Sequence, residues 1–278
     1  MLGALRERLV GYYRTRARTE KERLKKRMFE LETGRCGWLV DLPSQFLFGS
    51  DLRMLATIYL TDKWNAHWYA EHYEELFHKI RHNKINLLEI GVGGCEDPKM
   101  GGNSLRMWRT YFPKGLIYGA DIYDKSFHDR GRIKTFQGNQ VDTEFLDNLA
   151  SEIGRIDVII DDGSHLNEHV VFTFSHLFPH LAEGGVYAVE DAQTSYWEEY
   201  GGNETNRNDS STAMAYFKSL TDGLNWQEFR GSYNPTYFDL HIKSIAFYHN
   251  LIVVRKGSEG DARSGASGPG PGCRVGGR

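Results

Sequence analysis

The sequence lacks most of what would set it apart from an ordinary globular protein. No window approaches the ~18 uninterrupted apolar residues of a membrane span, so a membrane-embedded chain is excluded from the reading. Cysteine is scarce. Cys36, Cys95 and Cys273 lie too far apart to suggest a disulfide frame or a zinc knuckle, and reduced thiols in the cytoplasm are the expectation. The opening stretch MLGALRERLVGYYRTRAR is too broken by arginine to be the apolar core of a signal peptide. There is no internal repeat and no GK[ST] phosphate loop. Charge of one sign is also missing overall, with 34 Lys and Arg against 37 Asp and Glu for a net −3. What is present, 40% apolar and 26% charged residues, excludes wholesale disorder.

The average conceals two unusual ends. Residues 1–28 hold ten Lys or Arg against three acids, a local +7, which leaves −10 on the remaining 250 residues. The 22 residues from Gly257 to Arg278 contain 8 of the 30 glycines and two prolines, too little apolar surface to offset the entropy of ordering them. The expected division is therefore a helical N-terminal extension over 1–80 with a basic arm at 1–29, a catalytic domain over 81–256, and a disordered tail at 257–278.

From residue 85, short apolar runs alternate with amphipathic ones. INLLEIG (85–91), LIYGADI (116–122), RIKTFQG (132–138), IDVIIDD (156–162) and GGVYAVED (184–191) read as strands. NSLRMWRTYF (103–112), with Asn103 or Ser104 able to cap it, TEFLDNLASEI (143–153) and NEHVVFTFSHLFPHL (167–181) read as helices. Strands alternating with helices imply a parallel α/β sheet covered on both faces. SIAFYHNLIVVRK (244–256) instead reads as an antiparallel hairpin turning at His249-Asn250. A parallel doubly wound sheet closed by such a hairpin is the Rossmann-like layout of class I S-adenosylmethionine (SAM)-dependent methyltransferases.

In an open α/β sheet, ligands collect at the carboxyl ends of the strands near the switch in strand order. Glu89, Gly91 and Gly93 form the first such end. The glycines let the backbone approach a ligand, and the buried carboxylate needs a partner such as the positively charged methionine portion of SAM. Asp121, ending the second strand, is placed to accept two ribose hydroxyls. Ser104, at the start of the helix after the glycine loop, is counted with the cofactor residues. The acidic loop GCEDPKMGG does not suit a diphosphate, which favours SAM over a nicotinamide dinucleotide.

Two acidic strand ends, Asp161-Asp162-Gly163-Ser164-His165 and Glu190-Asp191, should open on one crevice. Like charges this close repel unless a cation lies between them, and all-oxygen ligands suit Mg²⁺. Spacing does not choose between the paired aspartates. Asp-Asp-Gly-Ser is also turn and helix-cap chemistry, which a single cluster would not distinguish. His165, beside a metal that acidifies a hydroxyl, is a plausible general base. The polar segment Gln193–Ser211 follows, where Tyr196 and Trp197 offer flat surfaces to a sugar ring. The other histidines are read as helix-face residues, His169, His176 and His180 among them. An iron site from His165 and His169 is disfavoured, because i, i+4 spacing turns them from the strand-end carboxylates.

LLEIGVGG, GGNSLRMWRTYFPKG, DIYDKS, IIDDGSH and VEDAQTSYW resemble the metal-dependent sugar O-methyltransferases of macrolide biosynthesis, the mycinamicin VI and demethylmacrocin O-methyltransferase family, and their relatives that methylate rhamnose-like sugars. The resemblance covers Thr61 to Trp197 closely. It implies that Asp162, Glu190 and Asp191 ligate Mg²⁺, that His165 is the base, that Asp161 lies toward the cofactor or supports the loop, and that Gln140 lies near the adenine. The implied reaction is SAM- and Mg²⁺-dependent methylation of a sugar hydroxyl on a glycosylated natural product. Two alternatives stay open: a SAM-binding protein that does not methylate, and a metal-dependent oxygenase related to the cephalosporin hydroxylase-like proteins. The basic N-terminal helices are expected to dock a partner subunit in a homo-oligomer. Nucleic acid is not expected, because the remaining −10 charge would repel a phosphate backbone.

Overall fold

The computed structural model describes Arg23, Glu30 and residues 38–258. The expectations for the basic arm and the glycine-rich tail fall outside the described residues, apart from Arg23, Gly257 and Ser258. By packing, the chain divides into two units. One takes Met1–Asn83 with Gly101–Gly115, and the other takes Lys84–Met100 with Leu116–Arg278.

The described part of the first unit is helical: α1 (Trp38–Phe48), α2 (Leu52–Ile58), α3 (Tyr69–Phe77) and α4 (Asn103–Tyr111). Asp51 starts α2 by accepting from the Met54 N–H at 3.0 Å, which satisfies one of the orphan donors of the first turn. Aromatic rings form its core. Trp108 meets Tyr73 edge-on at 5.3 Å, and Phe77 meets Phe112 at 5.7 Å. The Tyr59 hydroxyl is buried between Asp41 Oδ1 (2.9 Å) and Thr110 Oγ1 (2.6 Å), and burial raises its pKa well above that of a free phenol. The expected cap of α4 needs correction. Gly102 holds the cap position at φ 67°, with no side-chain cap, because the chain enters the helix from the left-handed region that glycine tolerates. Asn103 is thereby freed to reach the Leu60 carbonyl at 3.1 Å.

The second unit is built on one seven-stranded sheet: β1 (Asn86–Ile90), β2 (Leu116–Asp121), β3 (Ile133–Gln137), β4 (Ile156–Asp161), β5 (Leu181–Val189), β6 (Ile242–Tyr248) and β7 (Leu251–Lys256). The order is β3-β2-β1-β4-β5-β7-β6. The pairs from β3 through β5 are parallel, and the β5–β7 and β7–β6 pairs are antiparallel. This is the expected class I methyltransferase arrangement, terminal hairpin included. Asn250 turns that hairpin at φ 61°, a conformation asparagine adopts more readily than most residues.

Three further helices matter for the site: α5 (Thr143–Ile153), α6 (Asn167–Leu177) and α7 (Ala213–Gly223). α5 buries Leu146, Leu149, Ala150 and Ile153, an i, i+3, i+4, i+7 stripe, against the sheet. Phe174 of α6 lies at the centre of an aromatic cluster, 5.0 Å from Phe178, 5.0 Å from Tyr187 and 4.7 Å from Phe217. Lys256 ties the last strand to this layer. Its buried ammonium donates to the carbonyls of Phe178 (3.2 Å), Pro179 (2.7 Å) and Leu181 (2.7 Å), and burial lowers its pKa.

Candidate active site

Strand register places the site. Ile90 pairs with Ala120 on one side and Asp161 on the other, and Asp161 pairs with Val189. The ladder continues one residue beyond the strands, through Gly91 N–H to Ala120 O (2.8 Å), Asp162 N–H to Ile90 O (2.9 Å) and Glu190 N–H to Asp161 O (2.9 Å). Gly91, Asp121, Asp162 and Glu190 therefore emerge level at the carboxyl edge, where the strand order reverses between β1 and β4.

Asp162, His165 and Asp191 come together. One donor atom from each lies within 4.8 Å of the others. His165 Nε2 is 3.6 Å from Asp191 Oδ2 and 4.0 Å from Asp162 Oδ1, and each of the three side chains is 22% exposed. Two of the three have strained backbones, His165 at φ 58° and Asp191 at φ 52°. α6 takes Leu166 as its N-cap with no side-chain cap, and the 3₁₀ turn after Asp191 likewise has none. Glu190 is buried at 2% exposure and is not among the three donors that converge.

The other expected cofactor residues divide among several jobs. Glu89 is fully buried in β1. Gly91 has φ +89°, and a Cβ there would stand 2.0 Å from the Asp162 carbonyl oxygen. Gly93 also has a positive φ, 77°. Asp121 accepts from Val92 N–H through Oδ2 and from Tyr123 N–H through Oδ1, both at 2.9 Å, which leaves each oxygen one acceptor site. Asp161 is buried at 2% exposure and accepts from the Tyr187 hydroxyl at 3.2 Å, while its Oδ1 has no hydrogen-bond partner. Burial pushes its pKa up to about 7 against the pull of that hydroxyl, and Asp162 adds to the rise. Ser104 belongs to α4 in the first unit.

The chain spans about half the length of the curated proteins it is similar to. It is 46% identical over 210 residues to mycinamicin VI 2''-O-methyltransferase of Micromonospora griseorubida, covering 74% of this chain and 53% of that protein. It is 45% identical over 213 residues to 8-demethyl-8-alpha-L-rhamnosyl tetracenomycin-C 2'-O-methyltransferase of Streptomyces olivaceus, covering 75% of this chain and 56% of that protein. Among solved structures it is similar to MycE methyltransferase from the mycinamycin biosynthetic pathway, in complex with Mg, SAH and mycinamycin VI. There the TM-score is 0.73 at 45% identity, over 76% of this chain and 54% of the other. Over the aligned three quarters of this chain, its relatives are O-methyltransferases of this kind. No family model matches the chain.

Several contacts that shape this site leave no signature in the sequence. Gln140 was expected near adenine. Its side chain braces the loop after β4, accepting from Ser164 N–H at 2.8 Å and donating to Thr173 Oγ1 at 3.0 Å. Asn167, 1% exposed, donates to the carbonyls of Thr194 (3.1 Å) and Tyr200 (2.9 Å) and accepts from Ala213 N–H (2.7 Å). It pins the segment after β5, where Trp197 is 45% exposed with its ring 5.9 Å from that of Tyr200, and Tyr196 is half-buried. Lys125 clamps the glycine loop through the Cys95 (2.7 Å) and Asp97 (2.9 Å) carbonyls. An asparagine opening a helix beside a reactive loop, and a lysine within an acidic segment, were the available signals. Their partners lie 27 to 46 residues away and left no pattern to follow.

Proposed function

We propose that this chain carries out SAM- and Mg²⁺-dependent O-methylation of a sugar hydroxyl on a glycosylated natural product. The observation that carries the reading is the convergence of Asp162, His165 and Asp191 at the strand ends beside the glycine loop of β1. Carboxylate oxygens suit a hard divalent cation, so Asp162 and Asp191 would hold Mg²⁺ with buried Glu190 beside them. The glycine loop and Asp121, with one acceptor site open on each oxygen, fit a ribose-bearing cofactor, and Glu89, Gln140 and Asp161 are proposed to complete its surroundings. When bound, the metal would acidify a coordinated hydroxyl and SAM would supply the methyl group.

The protein's own part is positioning and proton management. His165 Nε2 takes the hydroxyl proton, and Asp191 at 3.6 Å stabilises the imidazolium that forms. Left-handed backbone at both residues holds the base and its partner in register. Tyr196 and Trp197 present aromatic surface to the sugar, on a segment that Asn167 keeps in place. The names of the relatives, one acting on an α-L-rhamnosyl group, support a glycosylated acceptor. No described helix is long and apolar enough to cross a membrane, and we place the protein in the cytoplasm. Leu42, Phe46 and Leu47 of α1 are 57%, 89% and 63% exposed, which supports self-association through the N-terminal helices.

The test is transfer of label from SAM to a panel of glycosylated natural products, with Mg²⁺ and with a chelator. Label should appear only with Mg²⁺, and His165→Ala should slow transfer by roughly 10²–10⁴-fold. Full transfer under chelation, or an unchanged rate in His165→Ala, refutes the mechanism. Tight SAM binding with no methylated product from any acceptor indicates a non-methylating role, and oxygen consumption with iron and no SAM affinity indicates an oxygenase.

A further inference from the structure

Among the described residues a second group of potential metal ligands lies outside the candidate active site: Asp147 on the exposed face of α5, His176 in the last turn of α6, and His180 at the end of the 3₁₀ turn that follows. One donor atom from each lies within 4.8 Å of the others. Both imidazoles turn the same nitrogen to the same carboxylate oxygen, with His176 Nε2 at 2.8 Å and His180 Nε2 at 3.9 Å from Asp147 Oδ1. The Phe172 ring lies parallel to His176 at 6.0 Å and fixes its orientation.

We propose that Asp147, His176 and His180 form a binding site for a borderline divalent transition-metal ion, Zn²⁺ being the type case. Two imidazole nitrogens and one carboxylate oxygen suit zinc, whereas Mg²⁺ prefers oxygen donors throughout. Zinc holds nitrogen at about 2.0–2.1 Å and carboxylate oxygen at about 2.0–2.2 Å, so adjacent donors of a tetrahedral site stand roughly 3.3 Å apart. The 2.8 and 3.9 Å separations here bracket that spacing, so small side-chain rotations complete it. Both histidines must be neutral to ligate. With Asp147 57% exposed and His180 41% exposed, the fourth position is open to water.

The Asp147–His176 hydrogen bond alone does not account for His180, whose ring also points its Nε2 at that oxygen. An ion here would staple α5 to the far end of α6. His176 lies nine residues beyond Asn167, about 14 Å of helix from the loop that carries His165. The site is thus distinct from the carboxylate cluster in place and in donor type.

Untagged full-length protein, saturated with Mg²⁺, would be titrated with Zn²⁺ and separately with Co²⁺, reading bound metal by elemental analysis and cobalt by its visible absorption. Wild type and Asp191→Asn should each bind one equivalent. His176→Ala, His180→Ala and Asp147→Asn should each weaken binding at least tenfold. Thermal melts keep the test independent of folding: without zinc His180→Ala should melt like wild type, and zinc should raise only the wild-type midpoint. If His180→Ala and Asp147→Asn bind zinc like wild type, or if binding is lost in Asp191→Asn alone, the proposal is wrong and Asp147–His176 is a hydrogen bond only.

Discussion

Gly91 occupies a position that no other residue fits. Its φ of +89° is left-handed, and an added Cβ would lie 2.0 Å from the Asp162 carbonyl oxygen, a backbone atom that cannot swing aside. Gly91→Ala must therefore push apart the ends of β1 and β4, the two strands that flank the switch point. The backbone conformation alone costs about 1–3 kcal/mol, and the overlap adds to it. Denaturant unfolding should show at least that loss, with affinity for S-adenosylhomocysteine falling in step. An alanine variant with wild-type midpoint and affinity would mean the loop has room that the geometry denies. The same crowding recurs at Gly163, where a Cβ would meet Gln140 Oε1 at 2.3 Å. Glycine here is a consequence of how closely two strand ends and a bracing amide pack, as well as of access for a ligand.

At the scale of elements, α6 does two jobs with its two ends. Its middle anchors the core through Phe174, which is fully buried among Phe178, Tyr187 and Phe217. Phe174→Ala should cost about 3–5 kcal/mol in chemical denaturation, the usual range for removing a buried ring. Its N-terminus instead holds the segment after β5. Asn167→Ala removes three hydrogen bonds and leaves the Ala213 N–H and two carbonyls to find other partners, worth about 1–3 kcal/mol per buried group left unmade. Hydrogen exchange should then speed up selectively between residues 192 and 213, whereas a uniform change across the sheet would place the damage in the core. The two roles differ in how well they could be read beforehand. Thr143–Ile153 and the terminal hairpin follow local periodicity and turn chemistry, so their positions were visible from pattern alone. Asp162, His165 and Asp191 were legible because two acidic strand ends must meet in a parallel sheet. Gly102 as the α4 cap, the Gln140 brace and the Asn167 pin were not, because each depends on partners set by the tertiary fold. His176 and His180 read as helix-face residues because nothing in their spacing reveals Asp147 across on α5.

Over the whole molecule, the carboxyl edge of the sheet concentrates negative charge. Glu89, Asp121, Asp161, Asp162, Glu190 and Asp191 lie on or just after β1, β2, β4 and β5, and burial already pushes Asp161 up to about 7. Outside the basic first 28 residues the chain carries −10, so no excess of positive charge elsewhere offsets this edge. A ligand that binds only the native state stabilises it by about 2.7 kcal/mol at a hundred times its Kd. For a folded body of this size each kcal/mol moves the melting midpoint by about 2–4 °C. Saturating S-adenosylhomocysteine with Mg²⁺ should thus raise Tm by roughly 5–11 °C. The Mg²⁺-dependent part should vanish with a chelator and in Asp162→Asn or Asp191→Asn, while the part due to S-adenosylhomocysteine should survive in both variants. If Mg²⁺ shifts the variants as much as the wild type, the ion binds elsewhere and these aspartates are not its ligands. Because the same melts with Zn²⁺ should respond to His180 and be indifferent to Asp191, the two ions can be assigned to separate places on one chain.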